Sequence, residues 1–318
     1  MPEASAITAR GLRRSYGDHE VLKGVDLDVR RGTVFSLLGA NGAGKTTVVK
    51  ILSTLIGAHG GSASVAGHDV AADPDGVRGA IGVTGQFSAV DNLMTGRENL
   101  KLMADLHHLG RETGRRRAEE LLAQFDLVDA ADKSAATYSG GMRRRLDLAM
   151  TLVGSPEVIF LDEPTTGLDP RSRRAMWQIV RQLVASGVTI LLTTQYLEEA
   201  DELADRIAVL DHGRIVAEGT ADELKRRIPG GHVLLQFTDL RDLEAATGVV
   251  REASRDGEAL ALRVPNDGSV RSLKALLDRL HEHAVPVESL STHTPDLDDV
   301  FLALTGGGQK VDQEVTQP

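Results

Sequence analysis

Gly39-Ala40-Asn41-Gly42-Ala43-Gly44-Lys45-Thr46-Thr47 is the stretch on which the fold turns. An apolar run from Thr33 to Leu38 precedes it, as a strand buried on both faces requires. Thr46 to Leu55 follows and reads as a helix. A strand that breaks into a glycine loop and re-emerges as a helix brings successive backbone N–H groups to one point. That point is a helix N-terminus, where the dipole also favours an anion. Gly39, Asn41, Gly42 and Gly44 would shape this cradle. Lys45 is then placed to reach β- and γ-phosphates, Thr46 to ligate Mg²⁺ and Thr47 to meet an α-phosphate. The competing reading, a glycine-rich turn that happens to precede Lys-Thr, lacks the strand and helix found here.

Downstream, Val158-Ile159-Phe160-Leu161-Asp162-Glu163 is an apolar strand that delivers two carboxylates side by side. Asp162 is the candidate for holding Mg²⁺ through the metal's water shell. Glu163 is the candidate general base for an attacking water. In isolation the pair could equally be a strand ending in solvated acids. Ser139-Gly140-Gly141-Met142 lies between the two segments and reads as a helix opening, a second place where backbone amides could face an anion. Asp169-Pro170 reads as a cap followed by Pro at the first helical position, with Gly187 placed to end that helix.

Taken together and in this order, these segments resemble the ATP-binding subunit of an ABC transporter. The resemblance covers roughly residues 5 to 228. It implies an α/β fold: an ABC-type P-loop ATPase core, with a RecA-like parallel sheet and antiparallel β and helical subdomains. It also implies ATP and Mg²⁺ as cofactors. In this family the Ser139-Gly140-Gly141 element caps the γ-phosphate bound by an opposite subunit, so two cassettes sandwich the nucleotide and a monomer hydrolyses poorly. Tyr16 falls where relatives stack an aromatic on adenine, and Gln86 matches their glutamine that senses the γ-phosphate and Mg²⁺. Asp169 would add a contact across the dimer to its capping role.

Two positions depart from the family pattern. Met142 stands where relatives have Gln, at a site whose phosphate-facing atoms are backbone and Ser. Gln195, in Thr193-Thr194-Gln195-Tyr196, stands where most relatives have a catalytic His. Gln keeps a donor that can reach phosphate but cannot become a cation, so the expectation is retained but slowed turnover. Gln195, the segment Tyr138 to Ala149 and Leu297 to Leu302 together look like the daunorubicin-resistance branch of drug-exporting ATPase subunits.

Composition limits the alternatives. With 36 Lys and Arg against 46 Asp and Glu, the net charge is −10 and the pI about 5.5. That argues against a nucleic-acid partner. There is no Cys, so no disulfide or thiolate metal site arises. The first residues are polar and do not read as a signal peptide, and no apolar run approaches the roughly 18 residues of a spanning helix. The resemblance implies as partners a second cassette, as a homodimer, and a separate multi-span membrane permease to do the spanning. The expected location is the cytoplasmic face of the membrane, and the expected function is drug, antibiotic or lipid export. The alternative is a non-transport ABC ATPase acting on a soluble or nucleic-acid partner. Such proteins usually carry tandem cassettes or a coiled coil, and neither is visible here. A third reading, a regulator that binds ATP without hydrolysing it, would predict loss of Glu163.

The expected domains are a cassette over 1–228, with a helical subdomain at about 90–153, a small α+β accessory domain over 229–306 and a disordered tail over 307–318. In the small domain the pattern gives a strand from His232 to Phe237, a helix from Leu240 to Thr247 and a strand from Ala259 to Val264. A helix from Ser269 to His283, a strand from Val287 to Ser291 and a helix from Leu297 to Leu304 complete it. Arg143 to Arg145 reads as a solvated or dimer-facing helix flank, and Arg111 to Arg117 as a solvated loop and helix start. His281, His283 and His293 read as surface residues.

Overall fold

The computed structural model describes residues 5–85, 88–227, 231–257, 259–266, 269–293 and 296–305. The chain divides into two compact units, Met1–Ala221 and Asp222–Pro318. The first unit opens with β1 (Ser5–Tyr16), β2 (His19–Arg30) and β3 (Val34–Leu38), then α1 (Lys45–Leu52), β4 (Gly60–Val65) and β5 (His68–Asp69). Next come α2 (Pro74–Ala80), β6 (Ile81–Thr84), α3 (Gly96–Leu106), α4 (Arg111–Gln124) and α5 (Gly140–Thr151). It continues through β7 (Val158–Asp162), α6 (Pro170–Ala185), β8 (Thr189–Thr194), α7 (Leu197–Leu203), β9 (Arg206–Asp211) and β10 (Arg214–Gly219).

Six strands form one sheet in the order β10-β9-β3-β8-β7-β6, parallel except for the β9–β10 hairpin. His212 and Gly213 both take positive φ in the two-residue turn of that hairpin, the geometry a right-twisted ribbon favours. A second, antiparallel sheet runs β2-β1-β4-β5. The alternation of side chains along the central strands shows why they read as unbroken apolar runs. Ile159 and Leu161 of β7 enter a core shared with α3 to α6, whereas Val158 and Phe160 enter a core shared with α1 and the antiparallel sheet. In β8, Ile190 and Leu192 divide from Leu191 in the same way. Successive residues face opposite sides, and both sides are covered.

Local signals set the ends of the helices. Thr95 and Glu98 form a reciprocal capping box at the start of α3. Asp169 caps α6 by accepting from the backbone N–H of Arg171 and Ser172 and from the Ser172 hydroxyl. Those three donors hold its carboxyl below the usual carboxylate range. The stretch Arg111 to Arg117, expected as loop and helix start, is helical from Arg111 onward. Arg117 donates to the Leu152 carbonyl at 2.8 Å.

The second unit takes in α8 (Ala221–Arg226) from Asp222 onward and contains β11 (His232–Gln236), α9 (Leu240–Val249), β12 (Ser254–Asp256), β13 (Ala261–Pro265), α10 (Val270–Glu282), β14 (Ser289–His293) and α11 (Leu297–Thr305). Its sheet runs β12-β13-β11-β14, all antiparallel. The order of elements from β11 to β14 is strand, helix, strand, strand, helix, strand, which makes this a split βαβ fold of the ferredoxin-like type. The sequence pattern lacked β12, whose three residues are all exposed at a sheet edge. Its core is an apolar cluster that includes Val233, Leu235, Leu243, Leu262 and Leu276. His293 packs its ring 4.7 Å from that of His232 and hydrogen bonds to Asp299 at 3.0 Å. No group of three metal-binding side chains exists among the described residues. The expected tail over 307–318 lies outside the described residues.

Candidate active site

Four chemical elements gather at the C-terminal ends of the parallel strands, where open α/β sheets bind ligands. The glycine loop follows β3, Gly85 follows β6, Asp162 and Glu163 end β7, and Gln195 follows β8. One cleft of about 980 Å³ collects Asn41, Gly42, Gly44, Lys45, Thr46, Thr47, Gly140, Glu163 and Gln195 on its walls. Gly39, Ser139, Gly141, Asp162 and Asp169 lie beside or behind this wall rather than on it. Gln86 lies outside the described residues.

Backbone sterics build the loop. Gly44 caps α1 at φ +112°, and a Cβ there would stand 2.7 Å from Leu22 Cδ2. At Gly39 a Cβ would meet the Leu210 carbonyl oxygen at 2.4 Å. Only glycine fits either position, which is what a backbone cradle for phosphate needs. Lys45, buried, donates to the carbonyls of Gly39 (2.7 Å) and Ala40 (3.2 Å), and its Nζ stands 3.5 Å from Glu163 Oε1. Burial lowers the Lys45 ammonium from its ordinary pKa, against the opposing pull of Glu163 and Asp162.

The two carboxylates are fixed differently. Asp162 Oδ1 accepts from the hydroxyls of Thr46, at 3.3 Å, and Thr193. Glu163 takes a left-handed backbone at φ +49°, held by its N–H donating to the Thr193 carbonyl (3.0 Å) and hydroxyl (3.2 Å). That turn sends the two neighbouring carboxyls to different partners. Thr166 donates to Glu163 Oε2 at 3.4 Å. The Thr46 hydroxyl beside a carboxylate is the hard oxygen set that suits Mg²⁺.

Ser139 opens α5 by accepting from the Met142 N–H at 3.2 Å, so its hydroxyl and the Gly140 and Gly141 amides share one helix start. Tyr16 is 47% exposed at the end of β1, with the Arg14 guanidinium 5.1 Å from its ring centre. It does not line the cleft; His19 and Val21 of β2 do.

Several of these residues went unread in the sequence. His19, Ser88, Thr166 and Leu168 line the cleft, and Thr193 holds Asp162 from the next strand. The hydroxyls of Thr193 and Thr194 at the end of an otherwise apolar strand were the available signal. The larger revision concerns Arg143 to Arg145. Arg144 is not a solvated flank: its side chain is 11% exposed and paired with Asp147. Arg145 donates to the carbonyl of Phe125 at 2.9 Å.

Beneath the cleft, Glu199 of α7 is fully buried and accepts from Trp177 Nε1 at 3.3 Å. Burial raises its carboxyl, against donors from Thr194, Thr165 and Trp177 and the charge of Arg173. A carboxyl whose pKa is raised by folding stabilises the fold below its unfolded pKa and loses that contribution as pH rises through the folded value. Glu199→Gln is therefore expected to melt higher than the wild type at pH 8 and to lose this advantage near pH 5. Thermal melts at the two pH values read the difference, and a constant offset would remove Glu199 as the titrating group.

A glycine-loop cradle, a buried Lys and paired carboxylates at the end of the next strand but one in the same sheet define a P-loop nucleotide hydrolase. Residues 22–166 match the ABC transporter family, and residues 219–305 match the C-terminal domain of ATP-binding proteins described as DrrA1-3-like. The chain is 49% identical to daunorubicin resistance ATP-binding protein DrrA3 of Streptomyces coeruleorubidus, over 96% of this chain and 98% of that one. It is 47% identical to doxorubicin resistance ATP-binding protein DrrA of Mycobacterium tuberculosis, over 94% of this chain and 93% of that one. A solved ATP-binding subunit of an ABC transporter superposes with a TM-score of 0.63 at 30% identity, covering 70% of this chain and 93% of that one. The chain belongs to the family of ABC transporter ATP-binding proteins, in its drug-resistance branch. It binds and hydrolyses ATP, as a subunit of a type that dimerises and works with membrane partners. No helix among the described residues is long and apolar enough to cross a membrane.

Proposed function

We propose that two copies of this chain pair head to tail around two Mg²⁺-ATP molecules at the cytoplasmic face of a membrane. There they drive a separate multi-span permease that exports a drug, antibiotic or lipid. The observation that carries the reading is the convergence of Lys45, Thr46, Glu163 and Gln195 on one cleft. The drug-resistance names of relatives at 47–50% identity support the cargo class.

Within that reading each residue has one task. The Gly39–Thr47 loop and Lys45 bind the phosphates. Thr46 and Gln86 would hold Mg²⁺, with Asp162 holding its water shell, and the ion would supply charge neutralisation to the phosphates. Glu163 orients and deprotonates the attacking water. Gln195 donates to the γ-phosphate. Ser139, Gly140 and Gly141 close the other cassette's nucleotide, Asp169 reaches across the pair, and Tyr16 stacks on adenine. The 229–306 region serves as an accessory domain to the 1–228 cassette.

Purification from mildly solubilised native membranes tests the assembly. A stoichiometric partner of about six spans is expected, and recovery with ribosomal or nucleic-acid partners alone would sink the exporter reading. Gln195→Ala tests the departure from His. Loss of a neutral donor to the transition state is expected to lower kcat about 10- to 100-fold, with ATP affinity nearly unchanged. ATPase activity equal to wild type would deny Gln195 a phosphate role.

A further inference from the structure

The side chain of Arg144 sits on the first turns of α5, two residues beyond the Ser139-Gly140-Gly141-Met142 start, and spends every donor it has. A guanidinium carries five N–H groups in a rigid planar fork. Nε donates to the Pro164 carbonyl at 2.9 Å. Nη1 donates to the Gly85 carbonyl at 2.9 Å and to Asp147 Oδ2 at 3.2 Å. Nη2 donates to the carbonyls of Asp162 at 3.3 Å and Glu163 at 3.4 Å. Three consecutive carbonyls at the end of β7 are thus held by one side chain. One of them belongs to Glu163 itself.

Asp147, one helical turn further along α5, completes the arrangement. Its side chain is 4% exposed, and its second oxygen accepts from the Ala89 N–H at 2.9 Å. Gly85 and Ala89 lie on either side of Gln86 in the chain. The pair therefore fastens the start of α5 to both flanks of that segment and to the backbone of the candidate base. Burial works against both charges, lowering the Arg144 pKa and raising that of Asp147, so each relies on the other. For packing alone, a Leu or Met would fill this space without that cost.

We infer that Arg144, buttressed by Asp147, is a positioning residue for ATP hydrolysis, fixing the Glu163 backbone and the Gln86 flanks against the helix that carries Ser139-Gly140-Gly141. The clasp contributes to the step that Glu163 and Gln86 perform, and to ATP binding hardly at all. Arg144 lines the same cleft as the glycine loop and Lys45, but its donors go to the carbonyls of Gly85 and residues 162–164 and to Asp147. The inference rests on the roles proposed above for Glu163 and Gln86.

The test is steady-state ATPase kinetics with equilibrium ATP binding on the full chain, assembled with its membrane partner. Arg144→Gln is expected to lower kcat about 10- to 100-fold while KM and ATP affinity stay within about threefold. Arg144→Lys keeps the charge but cannot span five acceptors, and should recover less than about a third of the wild-type rate. Asp147→Asn should lower kcat in the same direction, and the double variant should be no worse than Arg144→Gln alone, because both act through one clasp. A wild-type kcat in Arg144→Gln would overturn the inference, as would kcat and ATP affinity falling together. If Arg144→Gln does not fold, Arg144→Lys decides: a full rate overturns the inference, and a lowered kcat at unchanged KM supports it. A Glu163→Gln control that still hydrolyses ATP would strike the site roles and the clasp with them. An inactive control beside an unaffected Arg144→Gln would strike only the clasp.

Discussion

Glu163→Gln is expected to abolish turnover while leaving ATP bound. The side chain is nearly enclosed, 8% exposed, and Gln fills the same volume, so the packing around it survives. Its amide oxygen can take the place of Oε1 facing Lys45, while its amide N–H donates to the Thr166 hydroxyl where Oε2 stood. What disappears is the ability to take a proton from water. General-base losses run to about 10²–10⁴ in rate, or roughly 2.7–5.5 kcal/mol of barrier. Nucleotide affinity should change little, because in the proposed reading the loop amides and Lys45 bind the phosphates. The variant should therefore accumulate as the ATP-closed pair, visible as a concentration-dependent dimer by light scattering in Mg²⁺-ATP. Hydrolysis within tenfold of wild type would require another base, and none of the remaining acidic side chains lines the cleft among the described residues.

The parts of this molecule that the sequence disclosed are those where one physical demand acts on many adjacent residues. Strands covered on both faces must be apolar throughout, so β3, β7 and β8 stood out as runs. The glycine loop was legible because a backbone cradle excludes every other residue at Gly39 and Gly44. Where the demand is met by backbone or by a single contact, the reading failed. β4 begins with two glycines and β12 is Ser-Arg-Asp at an exposed edge, so neither carries a hydrophobic signature. Arg144 was the instructive case. In a row of three arginines on a polar helix start, the ordinary expectation is solvation, and periodicity gives no reason to single out the middle one. Its burial depends on carbonyls at 85 and at 162 to 164, positions remote in sequence that only the folded sheet brings together. Asp147, an acid amid Leu146, Leu148 and Ala149, was the fragment of signal available. A lone carboxylate on a buried helix face asks for a partner cation.

Lys45→Met should produce the opposite phenotype from Glu163→Gln, and the contrast separates binding from chemistry. Met has nearly the same length and volume, so the loss is the ammonium itself. The ammonium supplies donors to the carbonyls of Gly39 and Ala40, and it is the cation paired with the Glu163 carboxylate. Without it, triphosphate would enter beside the buried carboxylates of Asp162 and Glu163 with no ammonium at the loop to offset them. ATP affinity is expected to fall at least 100-fold, about 2.7 kcal/mol, with hydrolysis falling in concert. Calorimetric titration reads the first and a phosphate-release assay the second. Binding within threefold of wild type would mean that the loop amides alone hold the phosphates.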